Sequence, residues 1–470
     1  MLKKPLVLII LLSCAAAVHA QNLDFWKRLV SPQPTIAADG SSSFPLSQIH
    51  VFGSWDRRQD FTRGRLAGIM KKLPDEVKAV PAHVSENPRY GTVQFGPPRD
   101  GDIGMTFYFV CDESKGTGQG YDRMHLDLNR DLDLTNDAPL KALEKYPGAY
   151  TPPEYYEKQT FFESFTVSFH SPAGIDVPIE IMPSLILYRG NDFPHISFIN
   201  TTAFRGGIVV NGRKFDAILG HMYSIPGAYD SKGTNLMLIP QGEGASEIHW
   251  WGGNQLDATH EFGGQFYRFS ASPRGDLLTV RPYTGDTGIF EIGAGGRKLD
   301  AMTFNGSLTS SETAVAVGTM DGSGWPMPLS KCIIPVGDYL PSYLSVNYGK
   351  LQISVSQNYH ADGKPCGRDE LKILFCFPIR RDKPCVLDFS NKPEVLFALP
   401  AKDTKIKRGG KLDVKGVLID PGMDIMIRGL EDTSRKENRE GFERNISLDP
   451  KVVITRADGE IVAEGVMPFG

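Results

Sequence analysis

Apolar side chains in this chain gather in short runs, often alternating with polar ones, and glycine, proline, asparagine or aspartate cuts each run off. Met105 to Val110, Phe161 to Phe169, Ile179 to Tyr188, Phe266 to Phe269, Leu277 to Val280 and Leu351 to Val355 are of this kind. Runs of this length between turn formers predict strands. Helical spacing is confined to a few places. Asn22 can cap a short helix carrying Leu23, Trp26 and Val30, and Leu66, Ile69, Met70 and Leu73 predict another over about 62–72 that stops at Pro74. Pro139, Leu140, Leu143 and Tyr146 fit two further turns that end at Pro147-Gly148.

One unit recurs. Asn211-Gly-Arg-Lys-Phe-Asp-Ala-Ile218 returns as Gly295-Gly-Arg-Lys-Leu-Asp-Ala-Met302, with Phe262-Gly-Gly-Gln-Phe-Tyr267 as a looser third copy. The dipeptide at or near the head of each supplies the positive φ angles of a two-residue hairpin turn, so a reused β-hairpin is expected. After Asp388-Phe-Ser-Asn-Lys-Pro393, short strands are expected at Val395 to Leu399, Lys411 to Val417, Met423 to Arg428, Val452 to Arg456 and Ile461 to Val466. Their spacing suits an immunoglobulin-like sandwich interrupted by a solvated charged loop, Glu431 to Arg444. The fold class expected is therefore mainly β and multi-domain, built of antiparallel sandwiches and hairpins with few short helices. The expected divisions are a signal peptide over 1–20, an N-terminal α+β region over 21–150, a hairpin-repeat domain over 151–390 and the C-terminal sandwich over 391–470.

The N-terminus changes the picture from a globular protein to an exported one. Lys3 and Lys4 precede the apolar run Leu6 to Ala17, and Val18-His19-Ala20 offers small residues where a signal peptidase reads, which sets a mature start at Gln21. The run is shorter than the ~20 residues of a spanning helix. A second reading of the same residues is a lipoprotein signal, Leu11-Leu12-Ser13-Cys14, cut before an acylated Cys14; in that case the chain is tethered to a membrane face. Otherwise a secreted, periplasmic or extracellular location follows.

Charge excludes some partners. With 51 Lys and Arg against 55 Asp and Glu, the net charge of −4 provides no basic field for nucleic acid or an anionic membrane. Cys111, Cys332, Cys366, Cys376 and Cys385 follow the signal, an odd number that cannot all pair within one chain. Cys366 and Cys376 read as structural, bridged to each other or to Cys385, and Asp362-Gly363 as a hairpin turn; a degenerate second cation loop is the other reading of that segment.

The densest chemistry lies in Asp127-Leu-Asn129-Arg-Asp131-Leu-Asp133-Leu-Thr135-Asn-Asp137. Oxygen side chains at alternate positions of a short loop are what a hard divalent cation needs, since calcium takes six to eight oxygens. The loop resembles the calcium loops of EF-hand and dockerin modules over about twelve residues. The resemblance implies that Asp127, Asn129 and Asp131 supply side chains, Asp133 its carbonyl and Thr135 the ninth position, with calcium as the cofactor. Leu132 stands where those loops have glycine, and Ala138 where they have a bidentate glutamate, so Asp137 would close the site one place early. The alternative is a polar loop whose carboxylates face water while Asp137 caps a helix from Ala138. Overall the chain resembles exported bacterial β-proteins with such degenerate loops, a resemblance that brings no activity with it.

His249, Trp250, Trp251, His260 and Glu261 form the second candidate, a ligand site in which indole faces stack on sugar rings. Their spacing is not a zinc pattern, and the bland reading is tryptophan plugging a sheet interface. Asp286-Thr287-Gly288 matches the aspartic-protease tripeptide without its apolar lead-in or a second copy, so a turn before Ile289 explains it. No Gly-x-Ser-x-Gly elbow, phosphate loop or dinucleotide fingerprint occurs. The reading reached is an exported binding or structural protein with a calcium-stabilised loop, whose partner is a polysaccharide or a cell-surface protein. Two alternatives are kept, a secreted carbohydrate-active hydrolase or lyase and a surface lipoprotein that docks partner proteins.

Overall fold

The computed structural model describes residues 34–54, 61–96, 105–117, 120–148, 150–152, 156–188, 194–241, 255–293, 295, 302–310, 312–317, 319–320, 326–327, 330–356, 377–389, 392–399, 404–405, 407, 413–421, 425–439 and 442–467. Among these the regular elements are strands in several mostly antiparallel sheets. The chain divides into two compact units. The first takes the described residues within Met1–Ala245, Trp250–Asp257 and Arg268–Pro282, and the second those within Ser246–His249, Ala258–Tyr267 and Tyr283–Gly470. The boundaries expected at 150/151 and 390/391 do not coincide with this division.

In the first unit, Gly68–Met70, Arg89–Phe95, Met105–Asp112, Arg123–Leu126 and Leu140–Lys141 form an up-and-down sheet in chain order. Alternation sets its faces: Val93, Phe95, Phe107 and Phe109 are buried on one side, and on the other Val110 joins Val77 and Leu134 in a small core. A second sheet runs Tyr156–Phe161, Asp176–Tyr188, His195–Asn200, Arg65–Leu66, and a third runs Asn235–Pro240, Arg213–Gly220, Thr202–Val210, Ser47–His50. Between Val210 and Arg213, Asn211 and Gly212 take φ angles of 47 and 74°, the two-residue turn expected of the first repeat copy.

Both helices expected after residue 60 are strands instead. Arg65 and Leu66 pair with Phe198 and Ser197, and Gly68–Met70 pairs with Tyr90–Thr92. Gly64 turns at φ 62° with Phe198 O only 2.5 Å from where a Cβ would stand, so the chain crosses a neighbouring strand too closely for a helix. Downstream of the acidic loop, Leu140 and Lys141 pair with Met124 and Arg123, Ala142 bridges Phe162, and Leu143 packs on the Phe52 and Phe161 core. Ladder pairing and burial override helical spacing at both places. The helix expected after Asn22 lies outside the described residues.

In the second unit the strands Thr259–Phe262, Ala314–Val317, Met302–Thr309, Gly337–Tyr348, Leu351–Ser356, Ile425–Arg439, Lys415–Asp420 and Glu394–Leu399 are consecutive neighbours, the first two parallel. Phe290, Phe304, Tyr339, Leu344 and Ile427 centre its core. Gly263 and Gly264, at φ 64 and 84°, close a hairpin between Thr259–Phe262 and Gln265–Ala271, in keeping with the third repeat copy. Of the middle copy only Gly295 and Met302 are described; Thr287–Gly293 before it pairs with Lys331–Pro335 and Cys385–Asp388, and Met302–Thr309 lies in another sheet. The expected charged loop is also corrected. Ile425–Arg439 runs on into it and pairs with Phe442–Ser447, setting Glu437 opposite Arg444, an opposite-charge pair that suits a ladder.

Cys111, Cys332 and Cys385 are free thiols. Cys332 and Cys385 pair with Phe290 from its two sides, so a strand separates them. Burial pushes their thiols up to about 12 and about 11, the settings of inert core cysteines. Cys366, Cys376 and Asp362-Gly363 lie outside the described residues.

Candidate cation loop

The strand Arg123–Leu126 delivers the chain into the acidic loop, and its last backbone contact is Asp127 N–H donating to Tyr108 O at 2.9 Å. Asp127 has no solvent exposure. Its Oδ1 accepts Asp131 N–H at 3.1 Å and its Oδ2 accepts Leu132 N–H at 3.0 Å, so the loop winds around this carboxylate. Further side chains repeat the motif two residues on: Asn129 Oδ1 accepts Asp131 N–H, Asp131 Oδ1 accepts Asp133 N–H, and Asp133 Oδ1 accepts Thr135 N–H, each at 2.9 Å.

The winding needs left-handed residues, and the chain supplies them without glycine. Arg130 and Leu132 sit at φ 59 and 70°. Leu132 thus takes the turn that glycine makes in a calcium loop, at a cost of about 1–2 kcal/mol. Leu134 anchors the far side, buried against Val77 and Val110, while its N–H donates to Ala79 O and Lys78 N–H donates to Leu132 O. Lys78 Nζ reaches the backbone oxygen of Asp131 at 2.9 Å.

Electrostatics follow from this crowding. Burial, with the charges of Asp127, Asp131 and Asp133 behind it, raises the pKa of Asp137, whose Oδ2 accepts Leu128 N–H. Asp131 moves the other way, because the Asn136 amide, Asp133 N–H, the Asn129 amide and Lys78 all favour its charge. Hard oxygens at alternate places fit calcium in kind. Among the described residues no three His, Cys, Asp or Glu side chains meet, and the expected donor set is completed by the Asn129 amide, the Asp133 carbonyl and the Thr135 hydroxyl. Asp131 Oδ2 is taken by the Asn136 amide at 2.8 Å and the Asn129 amide at 3.1 Å, which a cation there must displace.

The aromatic candidate is only partly visible. His249, Trp250 and Trp251 lie outside the described residues. His260 and Glu261 are on Thr259–Phe262. The His260 ring stacks on Phe262 at 6.1 Å, its Nε2 is shut off from solvent, and burial pulls its pKa down to about 4. Glu261 Oε1 accepts Gly264 N–H, which ties the carboxylate to its own hairpin turn. Asp286 is at an exposed turn facing Arg381 at 3.5 Å, as expected of a tripeptide without protease context.

Sequence reading missed a buried polar knot in the first unit. His221 stacks on Tyr229 with ring centres 5.0 Å apart, and the Asn200 amide donates to both His221 Nδ1 and Tyr229 Oη at 3.0 Å. Tyr229 Oη donates onward to Thr202 O. Burial brings His221 down to about 3, so it is a neutral imidazole at ordinary pH. The available signal was the loop 221–234 itself, long for a connection and rich in glycine, serine and aromatic residues.

Compared with protein-family models, curated proteins and solved structures, the chain matches none.

Proposed function

We propose that the chain is an exported, non-catalytic binding or structural protein whose first unit is stiffened by calcium at the Asp127–Asp137 loop. Asp127 carries this reading. A carboxylate removed from water is costly unless paired, and its hydrogen bonds come from two backbone N–H groups while Asp131, Asp133 and Asp137 crowd the same loop. A divalent cation relieves that crowding. The left-handed turns at Arg130 and Leu132 support the same reading, because they wind the loop as a calcium loop is wound.

Ligand capture belongs to the remainder of the molecule, with a polysaccharide or cell-surface protein as partner. The strand spacing of 391–470 supports an immunoglobulin-like arrangement there. Since Ile425–Arg439 pairs with Leu351–Ser356, such a sandwich shares a sheet with the strands before it. The signal-like N-terminus supports export, either free or tethered at Cys14.

Calcium added to chelated protein is expected to raise the melting temperature, because a ligand bound by the folded state alone stabilises it by mass action. Asp127→Ala with Asp131→Ala should remove that gain. An unchanged melt of the parent protein at millimolar calcium refutes the reading.

A further inference from the structure

Residues 71–88 join the neighbouring strands Gly68–Met70 and Arg89–Phe95, a connection for which about two to five residues suffice, and they carry no strand or helix of their own. The segment folds back over one face of the sheet instead. Val77 enters the small core with Val110 and Leu134, and Leu73, Val80, Tyr90 and Tyr108 pack around it. Two clasps hold it there. At the first, Lys78 N–H donates to Leu132 O at 2.8 Å and Leu134 N–H donates to Ala79 O at 3.0 Å, which fastens the segment to the acidic loop. At the second, Asp112 accepts Val84 N–H at 3.0 Å and Ser85 N–H at 2.8 Å, and Glu113 accepts the Ser85 hydroxyl at 2.8 Å. Between them His83 Nε2 meets Tyr90 Oη at 2.8 Å.

We propose that residues 77–87 are a strap that opens and closes as one piece, so that the acidic loop and the Asp112–Glu113 clasp share a single equilibrium. Little apolar burial holds the strap shut, since Val77 and Ser85 are the only buried residues of 71–88. Carboxylates do the rest. Asp112 and Glu113 are 2% and 1% exposed, and side chains of this kind stay out of water only while donors meet them. The strap brings both N–H donors of Val84 and Ser85 to Asp112, and its Ser85 hydroxyl joins Thr117 at Glu113. Opening returns water to both carboxylates, which lowers its cost and makes this the part of the sheet's surroundings that gives first. Only Val80 to His83 separate Ala79 from Val84, and Pro81 fixes one φ angle in that span, so a displacement at either clasp is carried to the other. In the same step Tyr90, Tyr108 and Val110 are bared and Leu132 and Leu134 are let go. The equilibrium is a property of the chain alone and goes beyond calcium binding.

Native-state hydrogen exchange of the full chain tests this, read at the amides of Lys78, Val84, Ser85 and Leu134, with the ladder between Arg89–Phe95 and Met105–Asp112 as reference. In the parent the four amides are expected to share one protection factor, lower than that of the ladder. Asp112→Asn puts a neutral acceptor of the same shape in place of a charged one, and it should speed Lys78 and Leu134 as well as Val84 and Ser85, all by about tenfold, while the ladder keeps its protection. Val77→Ala, made at the other end of the strap, should likewise speed all four by one common factor, and it reads the same coupling should Asp112→Asn fail to fold. Faster exchange at Val84 and Ser85 alone in Asp112→Asn, or at Lys78 and Leu134 alone in Val77→Ala, would mean two separate clasps and overturn the strap. So would four amides that exchange only together with the ladder, in the parent or in either variant.

Discussion

Leu132 holds a left-handed angle that glycine adopts without cost, so Leu132→Gly tests how much strain the acidic loop stores. Relief of about 1–2 kcal/mol is offset by the added freedom of glycine in the unfolded chain, about 0.5–1 kcal/mol. A net gain of up to about 1.5 kcal/mol in urea unfolding is expected; a loss of stability would mean that the side chain packs better than its angle suggests. Asp137→Asn should raise the melting temperature in chelator, because burial and three like charges disfavour its ionised form. Its raised pKa means the parent loop gains stability as pH falls through that value, a gain the variant lacks. His221 has the opposite consequence. Its folded value of about 3 lies below that of the unfolded chain near 6.5, so the unfolded state binds the extra proton and stability is lost as pH falls from about 6.5 towards 3. Replacing it with Gln should flatten unfolding free energy against pH in that window, by up to about 1.4 kcal/mol per pH unit. At this scale the acidic loop was legible because alternate oxygens are a local pattern. The partners of His221 were not, since Asn200 and Tyr229 meet it only through tertiary folding.

Among elements, the up-and-down sheet of the first unit depends on one close approach. A Cβ at Gly91 would stand 2.3 Å from Phe109 Cζ and 2.5 Å from Gly68 O, so Gly91→Ala must push apart the strand pairs on both of its sides. Overpacking of this kind costs about 1–3 kcal/mol, readable as a lowered urea midpoint, and an unchanged midpoint would show that the sheet can give. Strands were the most legible level of the fold: Met105 to Val110, Ile179 to Tyr188 and Leu277 to Val280 all fall inside observed strands, because period-two burial is written into adjacent residues. Helical spacing misled at 62–72 and after Pro139, where four apolar residues also serve a short strand and its flanking bends. The repeat shows the same limit. Asn211-Gly212 closes a hairpin, whereas the described strands before and after the middle copy, Thr287–Gly293 and Met302–Thr309, pair in different sheets, because partners are chosen by the rest of the sheet.

For the whole molecule, the place where one unit ends decides what can be removed. The sequence places a boundary near Pro393 from composition and a strand gap, yet the pairing of Leu351–Ser356 with Ile425–Arg439 is long-range and leaves no trace in either segment alone. Ending the chain at residue 390 removes six registered partners of Leu351–Ser356 and takes Ile425 and Ile427 out of the core around Phe304 and Leu344. Each fully buried isoleucine contributes roughly 1.5–3 kcal/mol, so the loss rivals the 5–15 kcal/mol that holds a typical domain. The truncated chain is expected to lose its cooperative melt and to aggregate through the bared strand edge. Ending the chain at residue 448 removes only the final hairpin and should leave a soluble chain with near-parent melting temperature. Circular dichroism during heating, with light scattering on the same samples, separates the two truncations. A cooperative, soluble 1–390 fragment would support 391–470 as an independent domain, and the Leu351–Ser356 ladder would then be a contact between domains.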